Sequence, residues 1–305
     1  MSALAKLAGF AVMLAVLFGG GALAGGAIGP DRDSGRSAQG PAEKDQSAHG
    51  AESGEHGSKP GAHDRGRSKA RPLRGLAVAA DGLRVIVDDS ELRRGRTESL
   101  GFRIVDDVGD TVRDFDVEHT KRLHLIVVRR DLTGFQHLHP KQGADGGWST
   151  RLRLDEAGSY RLFADFSYQD ESFTLANDLR VDGAADLKPL ASPSRTSVSD
   201  GSYDVRLGAD HARPGEEADL RFTVTKEGQT VQIERYLGAR GHLVALREGD
   251  LAFLHVHPTE QGHRAARGDP IGFAATFPTP GRYRLFLQFQ HRGHVQTVAF
   301  TREVK

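Results

Sequence analysis

The chain has 305 residues, with 41 Lys and Arg against 41 Asp and Glu, so its formal net charge is zero. That balance gives no electrostatic reason to expect nucleic acid as a partner. The sequence has no cysteine, and its two methionines are Met1 and Met13. This composition excludes disulfides, thiol catalysis and cysteine-bound zinc, and it excludes a thioether copper site from the folded part. A metal site would have to use imidazole, carboxylate, amide or water ligands.

Residues 1–29 are predicted to form an apolar helix, either a transmembrane anchor or a signal peptide. After Lys6, a run of 23 residues carries no charge. At ~1.5 Å per residue, such a helix crosses a bilayer core of ~30 Å. The alternative is a signal peptide cleaved after Ala22-Leu23-Ala24. Both interpretations place the rest of the chain outside the cytoplasm, either anchored at the cell membrane or secreted.

Residues 30–72 are predicted to be a disordered linker. The segment is polar, rich in Gly, Ser and Ala, and has no aromatic or β-branched residue. It cannot bury enough apolar area to offset the entropy lost on ordering. His49, His56 and His63 recur at intervals of seven in it. They are either incidental side chains in a solvated linker or a low-affinity arm that collects metal ions.

The remainder of the chain repeats itself. The phrase HLIVVRRDLTGFQHLHP over 124–140 returns as HLVALREGDLAFLHVHP over 242–258, and AGSYRLFADF over 157–166 returns as PGRYRLFLQF over 280–289. We therefore predict two domains of one kind, over 73–183 and 197–305, joined by a linker over 184–196 that contains two prolines.

Each domain is predicted to be an antiparallel β-sandwich of the immunoglobulin or cupredoxin kind. Short segments rich in Val, Ile, Leu and Phe are separated by Gly, Asp or Pro clusters, and no long segment has a 3.6-residue period. Tyr160 and Tyr283 open equivalent strands after a turn, which predicts a structural role in closing a sandwich corner.

The repeated phrase predicts a β-hairpin that gathers histidines. A turn centred between Asp131 and Leu132 sets position 124 opposite 139 and position 126 opposite 137. Cross-strand partners share a sheet face, as do residues i and i+2. His124, His137 and His139 would then project from one face, and the same construction brings together a second triplet, His242, His255 and His257.

Three imidazoles without a soft ligand suit Cu(II) or Zn(II), which predicts one ion per repeat. Asp165 and Gln288 occupy equivalent positions on a later strand and are candidates for a fourth ligand. His294 is a further candidate, whereas His263 and His291 are predicted to be solvated surface residues. The alternative is that both triplets are packing motifs satisfied by backbone carbonyls.

Nothing in the sequence resembles the common catalytic phrases, such as GxSxG, HExxH or a phosphate-binding loop. We therefore expect a binding protein and not an enzyme. An open three-histidine site could activate water, so a metal-dependent hydrolase is a third hypothesis. The non-metal alternative is a scaffold of tandem sandwiches that binds an unknown protein partner.

The phrases H-L-hydrophobic…D-L-x-x-F-x-H-x-H-P and G-x-Y-R-L-F-x-x-F resemble those of a family of exported bacterial proteins, frequent in actinobacteria. Members are sometimes labelled heavy-metal-binding or copper-related. The resemblance covers both repeats and the N-terminal apolar segment. It implies a membrane-anchored or secreted β-sandwich protein, and it implies no particular reaction.

Overall fold

The computed structural model describes residues 73–209, 211–254, 256–259, 266 and 268–305. The helix and linker predicted over residues 1–72 lie outside the described residues. Every element that the model describes is a β-strand. Among these residues, no helix has the length and apolar character needed to cross a bilayer.

The first repeat is built from two five-stranded sheets. Its strands are β1 (Ala79–Ala80), β2 (Leu83–Val87), β3 (Glu91–Leu92), β4 (Thr97–Val105), β5 (His124–Arg129), β6 (Gln136–Leu138), β7 (Lys141–Gln142), β8 (Trp148–Arg153), β9 (Gly158–Tyr168) and β10 (Glu171–Val181). One sheet has the order β1-β2-β4-β8-β7 and the other β3-β10-β9-β5-β6. Apart from the parallel pair β3 and β10, neighbouring strands are antiparallel.

The second repeat has the same plan. Its strands are β11 (Thr196–Val198), β12 (Tyr203–Ala209), β13 (Glu217–Lys226), β14 (Gln229–Thr230), β15 (Gly241–Arg247), β16 (Phe253–Leu254), β17 (Val256–Pro258), β18 (Ile271–Thr276), β19 (Gly281–His291) and β20 (His294–Val304). The order is β11-β12-β13-β18-β17, with β14 beside β13, in one sheet and β16-β15-β19-β20 in the other. The prediction of two tandem antiparallel β-sandwiches is confirmed.

Strand β5 is buried on both faces, and so is most of β15. Side chains on a strand alternate between faces. Leu125 and Val127 belong to the core of the first repeat, whereas Ile126 and Val128 belong to a separate apolar cluster. This accounts for the continuous apolar runs HLIVV and HLVAL, because each strand packs on its own sandwich and also on the other repeat.

The separate cluster is the interface between the two repeats, and it is nearly symmetric. Phe135 stacks on Phe286 with ring centroids 4.1 Å apart, and the counterpart pair Phe163 and Phe253 lies at 5.5 Å. Equivalent residues of both repeats fill most of the rest, namely Ile126 with Val244, Val128 with Leu246, Leu132 with Leu251 and Ala176 with Ala299, and Leu190 packs against them. The two sandwiches are therefore packed face to face through β5 and β15.

Two local features recur in both repeats. The Tyr160 hydroxyl donates to the carbonyl of Glu156 and the Tyr283 hydroxyl to that of Thr279, each at 2.8 Å. These bonds agree with the structural role predicted for both tyrosines. The hairpin turn that follows β5 or β15 holds Leu132 at φ 63° and Leu251 at φ 62°. In that left-handed backbone, each leucine side chain turns into the interface cluster.

The segment between the repeats is tied to the first one. Arg129 is almost fully buried. Its guanidinium group donates to the Asp131 carboxylate at 3.2 Å and to the carbonyl of Asp186 at 3.1 Å. The amide of Lys188 donates to the same carboxylate at 2.8 Å. A buried ion pair thus holds residues 186–188 against the first sandwich.

Candidate metal centre

The alternation of β5 and β15 places two histidines in the interface between the repeats. His124 shares a face with Ile126, and His242 shares a face with Val244, which both belong to the interface cluster. The imidazole rings of His124 and His242 stack with an interplanar angle of 11° and centroids 5.4 Å apart. The two copies of the repeated phrase therefore meet at one place.

The hairpin of the first repeat adds two more imidazoles. Ile126 pairs with His137, and Leu125 with Leu138, so the predicted register is confirmed. His137 therefore shares the interface face of β5, and His139 follows it two residues later on the extended chain. The His139 ring lies 5.2 Å from that of His124 and 4.8 Å from that of His137.

Three of these side chains bring their ring nitrogens together. His124, His137 and His242 each offer one nitrogen, and the three nitrogens lie within 4.8 Å of one another. Two of the residues come from the first repeat and one from the second. Among the described residues, one such group of metal-ligating side chains is found, and it spans the interface.

Hydrogen bonds fix which nitrogens of this group carry protons. The Gln288 amide donates to Thr297 Oγ1 at 3.1 Å, which leaves its Oε1 facing His137 Nδ1 at 2.7 Å. His124 Nε2 lies 3.2 Å from the carbonyl oxygen of Glu118. Both oxygens can only accept, so His137 Nδ1 and His124 Nε2 are the donors. The inner nitrogens, His124 Nδ1 and His137 Nε2, face each other at 3.0 Å.

Burial keeps the cluster neutral. It lowers the pKa of His137 to about 3 and the pKa of His124 to about 4, and neighbouring imidazoles lower both further. Burial and the charge of Lys121 lower the pKa of His139 to about 4. Burial also holds the pKa of His242 well below its ordinary value. Near neutral pH, each ring therefore has one nitrogen with a free lone pair.

The two predicted oxygen ligands occupy equivalent places on the interface face. Asp165 pairs with His124 across β9 and β5, and Gln288 pairs with His242 across β19 and β15. Asp165 accepts a hydrogen bond from Thr174 Oγ1 at 2.6 Å, and burial raises its pKa to about 6. Gln288 contacts a ring nitrogen of His137, so it orients an imidazole of the other repeat.

The histidines of the second triplet are not brought together as those of the first triplet are. Leu254 pairs with Ala245 as Gln136 pairs with Val127, but β17 then joins the opposite sheet, where His257 pairs with Ala274. His257 is exposed there and lies on a different sheet from His242. His255, the remaining member of that triplet, and His263 lie outside the described residues.

The other predicted histidines lie at the β19–β20 turn. His294 is exposed. His291 Nδ1 lies 2.7 Å from the Tyr203 hydroxyl, so this half-buried residue takes part in packing and is not simply solvated. His291 and His294 thus lie at the β19–β20 turn and are not part of the histidine cluster formed by His124, His137, His139 and His242.

One residue of the cluster was not predicted. The ring of His119 lies 5.7 Å from that of His242 and 6.1 Å from that of His124. It precedes β5 in a tight turn and has φ 47°. It lies outside the repeated phrase, so spacing alone gives no signal for it.

The fold and the site define a class: two fused β-sandwiches that share one histidine cluster at their interface. The chain belongs to the family described as Domain of unknown function (DUF8832), whose model matches residues 77–183 and again residues 196–305. The family carries no assigned activity in that description. No curated protein matches the chain.

Several solved structures are similar over part of their length. The Escherichia coli adhesin FdeC is 14% identical over 75% of this chain and 66% of its own, with a TM-score of 0.26. Salmonella alpha-2-macroglobulin is 14% identical over 75% of this chain and 15% of its own, with a TM-score of 0.27. The Yersinia pseudotuberculosis adhesin InvE is 11% identical over 72% and 58%, with a TM-score of 0.25. This chain thus spans less than two thirds of each of these proteins, and none of them assigns it a function.

Proposed function

We propose that this protein is a non-enzymatic metal-binding protein that holds one Cu(II) or Zn(II) ion between its two repeats. The ligands are His124, His137 and His242. The observation that carries the proposal is the pattern of outward hydrogen bonds, in which Glu118 and Gln288 accept the N–H groups of two rings. Metal-binding histidines almost always donate their second ring N–H in this way, to a carbonyl or carboxylate oxygen.

The inner side of the same pattern supports the proposal. With both outer nitrogens protonated, neutral His124 and His137 direct two lone pairs at each other across 3.0 Å. A proton between them would relieve the repulsion, but burial disfavours the resulting cation. A metal ion between the two nitrogens relieves the repulsion as well, and it also binds the third imidazole.

The site differs in stoichiometry from the sequence prediction of one ion per repeat. Because both repeats contribute to one cluster and His257 lies on the opposite sheet, we expect one equivalent of ion per chain. Titration calorimetry with Cu(II) and with Zn(II) measures this value. The chain used should carry the substitutions His49→Gln, His56→Gln and His63→Gln, so that the histidines of residues 30–72 do not contribute to the measured metal binding.

The double variant His124→Ala/His242→Ala removes one ligand from each repeat and should abolish high-affinity binding. The matched control is His294→Ala, which replaces an exposed histidine distant in sequence from the cluster. No binding by the parent chain at micromolar metal would overturn the proposal. Two equal sites would restore the prediction of one ion per repeat.

The second candidate is an interaction scaffold of tandem sandwiches without metal. The apolar interface favours it, because this interface fixes two sandwiches face to face whatever the histidines do. In this case the histidine cluster only completes the packing, and the calorimetric experiment gives no heat of binding. Under both candidates we propose a location outside the cytoplasm, supported by the apolar run in residues 7–29.

A further inference from the structure

A fourth imidazole lies beside the three proposed ligands. His139 Nε2 is buried, and it has no hydrogen-bond partner among the residues that the structure describes. A buried ring nitrogen without a partner is destabilising, so native proteins seldom retain one without a use. The nitrogen lies in a histidine that already contacts two members of the cluster.

Five of the six ring pairs among His124, His137, His139 and His242 match the spacing of four ligands around one ion. A tetrahedral ion bound at about 2.0–2.1 Å, with each ring centroid roughly 1.1 Å beyond its nitrogen, sets the centroids about 5 Å apart. The pairs formed by His124, His137 and His139 measure 5.2, 5.2 and 4.8 Å. His242 lies 5.4 Å from His124 and 4.7 Å from His137.

The ring of His119 does not fit this pattern as well. Its centroid lies 5.7 and 6.1 Å from its two nearest partners. About a quarter of its side chain (27%) is exposed. The spacing therefore distinguishes these four imidazoles, which form five ring pairs at 4.7–5.4 Å, from His119, which flanks them.

We infer that His139 is the fourth ligand and that the ion is enclosed by four imidazoles. This inference rests on the proposed function. Its consequence is chemical: a site with four protein ligands leaves no position for water or substrate, as in structural zinc sites and unlike catalytic ones. The protein then holds or carries its ion and does not use it for hydrolysis.

Cobalt(II) absorption tests the inference, because the position and intensity of the visible bands of this ion depend on its ligands, and a water in the fourth position ionises with pH whereas an imidazole ligand does not. We expect intense bands that do not change with pH near neutrality for the parent chain, and shifted, pH-dependent bands for His139→Ala, in which water takes the fourth position. The affinity of this variant should fall by more than the roughly 10–100-fold typical of an outer-shell residue. Added imidazole should restore the spectrum by filling the vacated position, which a merely structural role would not produce.

His139→Gln serves as a second variant if the alanine variant does not fold, and folding is followed by the fluorescence of Trp148. His294→Ala should leave the spectrum unchanged. If the parent chain binds no metal, the proposed function fails. If the parent binds cobalt and both His139 variants match its spectrum and affinity, the proposed function stands and the fourth ligand is wrong.

Discussion

The position of each histidine in the cluster follows from the alternation of side chains along a strand. His124 is the first residue of β5 and His242 the second of β15, and the residues two and four positions after each enter the interface between the repeats. The sequence predicted that His124, His137 and His139 share a face, because the hairpin register follows from the turn. It did not reveal what that face packs against, since this depends on contacts between residues more than a hundred positions apart.

Gln288 illustrates that gap. The spacing of the repeats identified Gln288 as the equivalent of Asp165 and suggested that it binds the metal directly. In the structure its Oε1 instead contacts His137 of the other repeat. We expect Gln288→Ala to lower metal affinity about 10–100-fold, because the acceptor that orients His137 is lost. Competition with a chelator of known affinity measures the change. Gln229→Ala, on the exposed strand β14, is the matched control and should have no effect; equal affinities for both variants would contradict the role of Gln288.

The metal-free protein should lose stability in mild acid. The folded-state pKa is about 3 for His137 and about 4 for His124, whereas an unfolded histidine titrates near ~6.5. As the pH falls from ~6.5 towards 4, the unfolded chain binds more protons than the folded one, so the free energy of unfolding decreases. Each such histidine contributes a slope of up to about 1.4 kcal/mol per pH unit.

Urea unfolding at several pH values, with a chelator present, measures this slope. His137→Gln should reduce the dependence of the free energy of unfolding on pH by up to about 1.4 kcal/mol per pH unit, the contribution of one histidine. His294→Gln should leave this dependence as in the parent. If the stability of His137→Gln depends on pH as steeply as that of the parent, burial of this imidazole is not a cause of the acid sensitivity.

At the scale of single elements, both sandwiches have the same tyrosine hydrogen bond at the corner before β9 and β19. The Tyr160 and Tyr283 hydroxyls each donate to a carbonyl four residues earlier. We expect Tyr160→Phe and Tyr283→Phe each to lower the free energy of unfolding by about 1 kcal/mol, because each leaves a carbonyl without its partner. Urea unfolding measures the loss. Tyr168→Phe is the control, since that hydroxyl accepts from an exposed neighbour, Gln169; a loss as large as that of the corner variants would argue against the role of the corners.

The strands also show where prediction from a repeat stops. The two copies of the histidine phrase have the same register up to Gln136 and Leu254, and they separate beyond it. Val256 enters the core of the second repeat, whereas its counterpart Leu138 only packs against the edge of the first core. Equal spacing cannot reveal this, because the sheet that a short strand joins depends on partners distant in sequence. Strand β17 thereby carries His257 away from the site.

At the scale of the whole molecule, the apolar interface packs the two sandwiches against each other. Phe286 is nearly fully buried there, against Phe135. We expect Phe286→Ala to uncouple the repeats, because replacing a buried phenylalanine by alanine costs about 3–5 kcal/mol, here largely from the interface. The chain has one tryptophan, Trp148, so its fluorescence reports on the first repeat, whereas far-UV circular dichroism reports on both.

In the parent chain, the two signals should change together during unfolding, and in Phe286→Ala they should separate. Phe300→Leu, a milder change in the core of the second repeat, leaves the interface intact and should shift both signals together. Coincident transitions in Phe286→Ala would mean that the interface does not couple the repeats.

The distance along the chain between His137 and Gln288 has a consequence for the order of events during biosynthesis. These residues are 151 positions apart, and the cluster is complete only when β15 and β19 have been made and have packed against β5. A polypeptide emerges with its amino end first, so the first repeat is synthesised before the histidine cluster can be complete. Under the proposed function, the ion can bind only after the second repeat is complete, and a chain truncated within that repeat lacks the site.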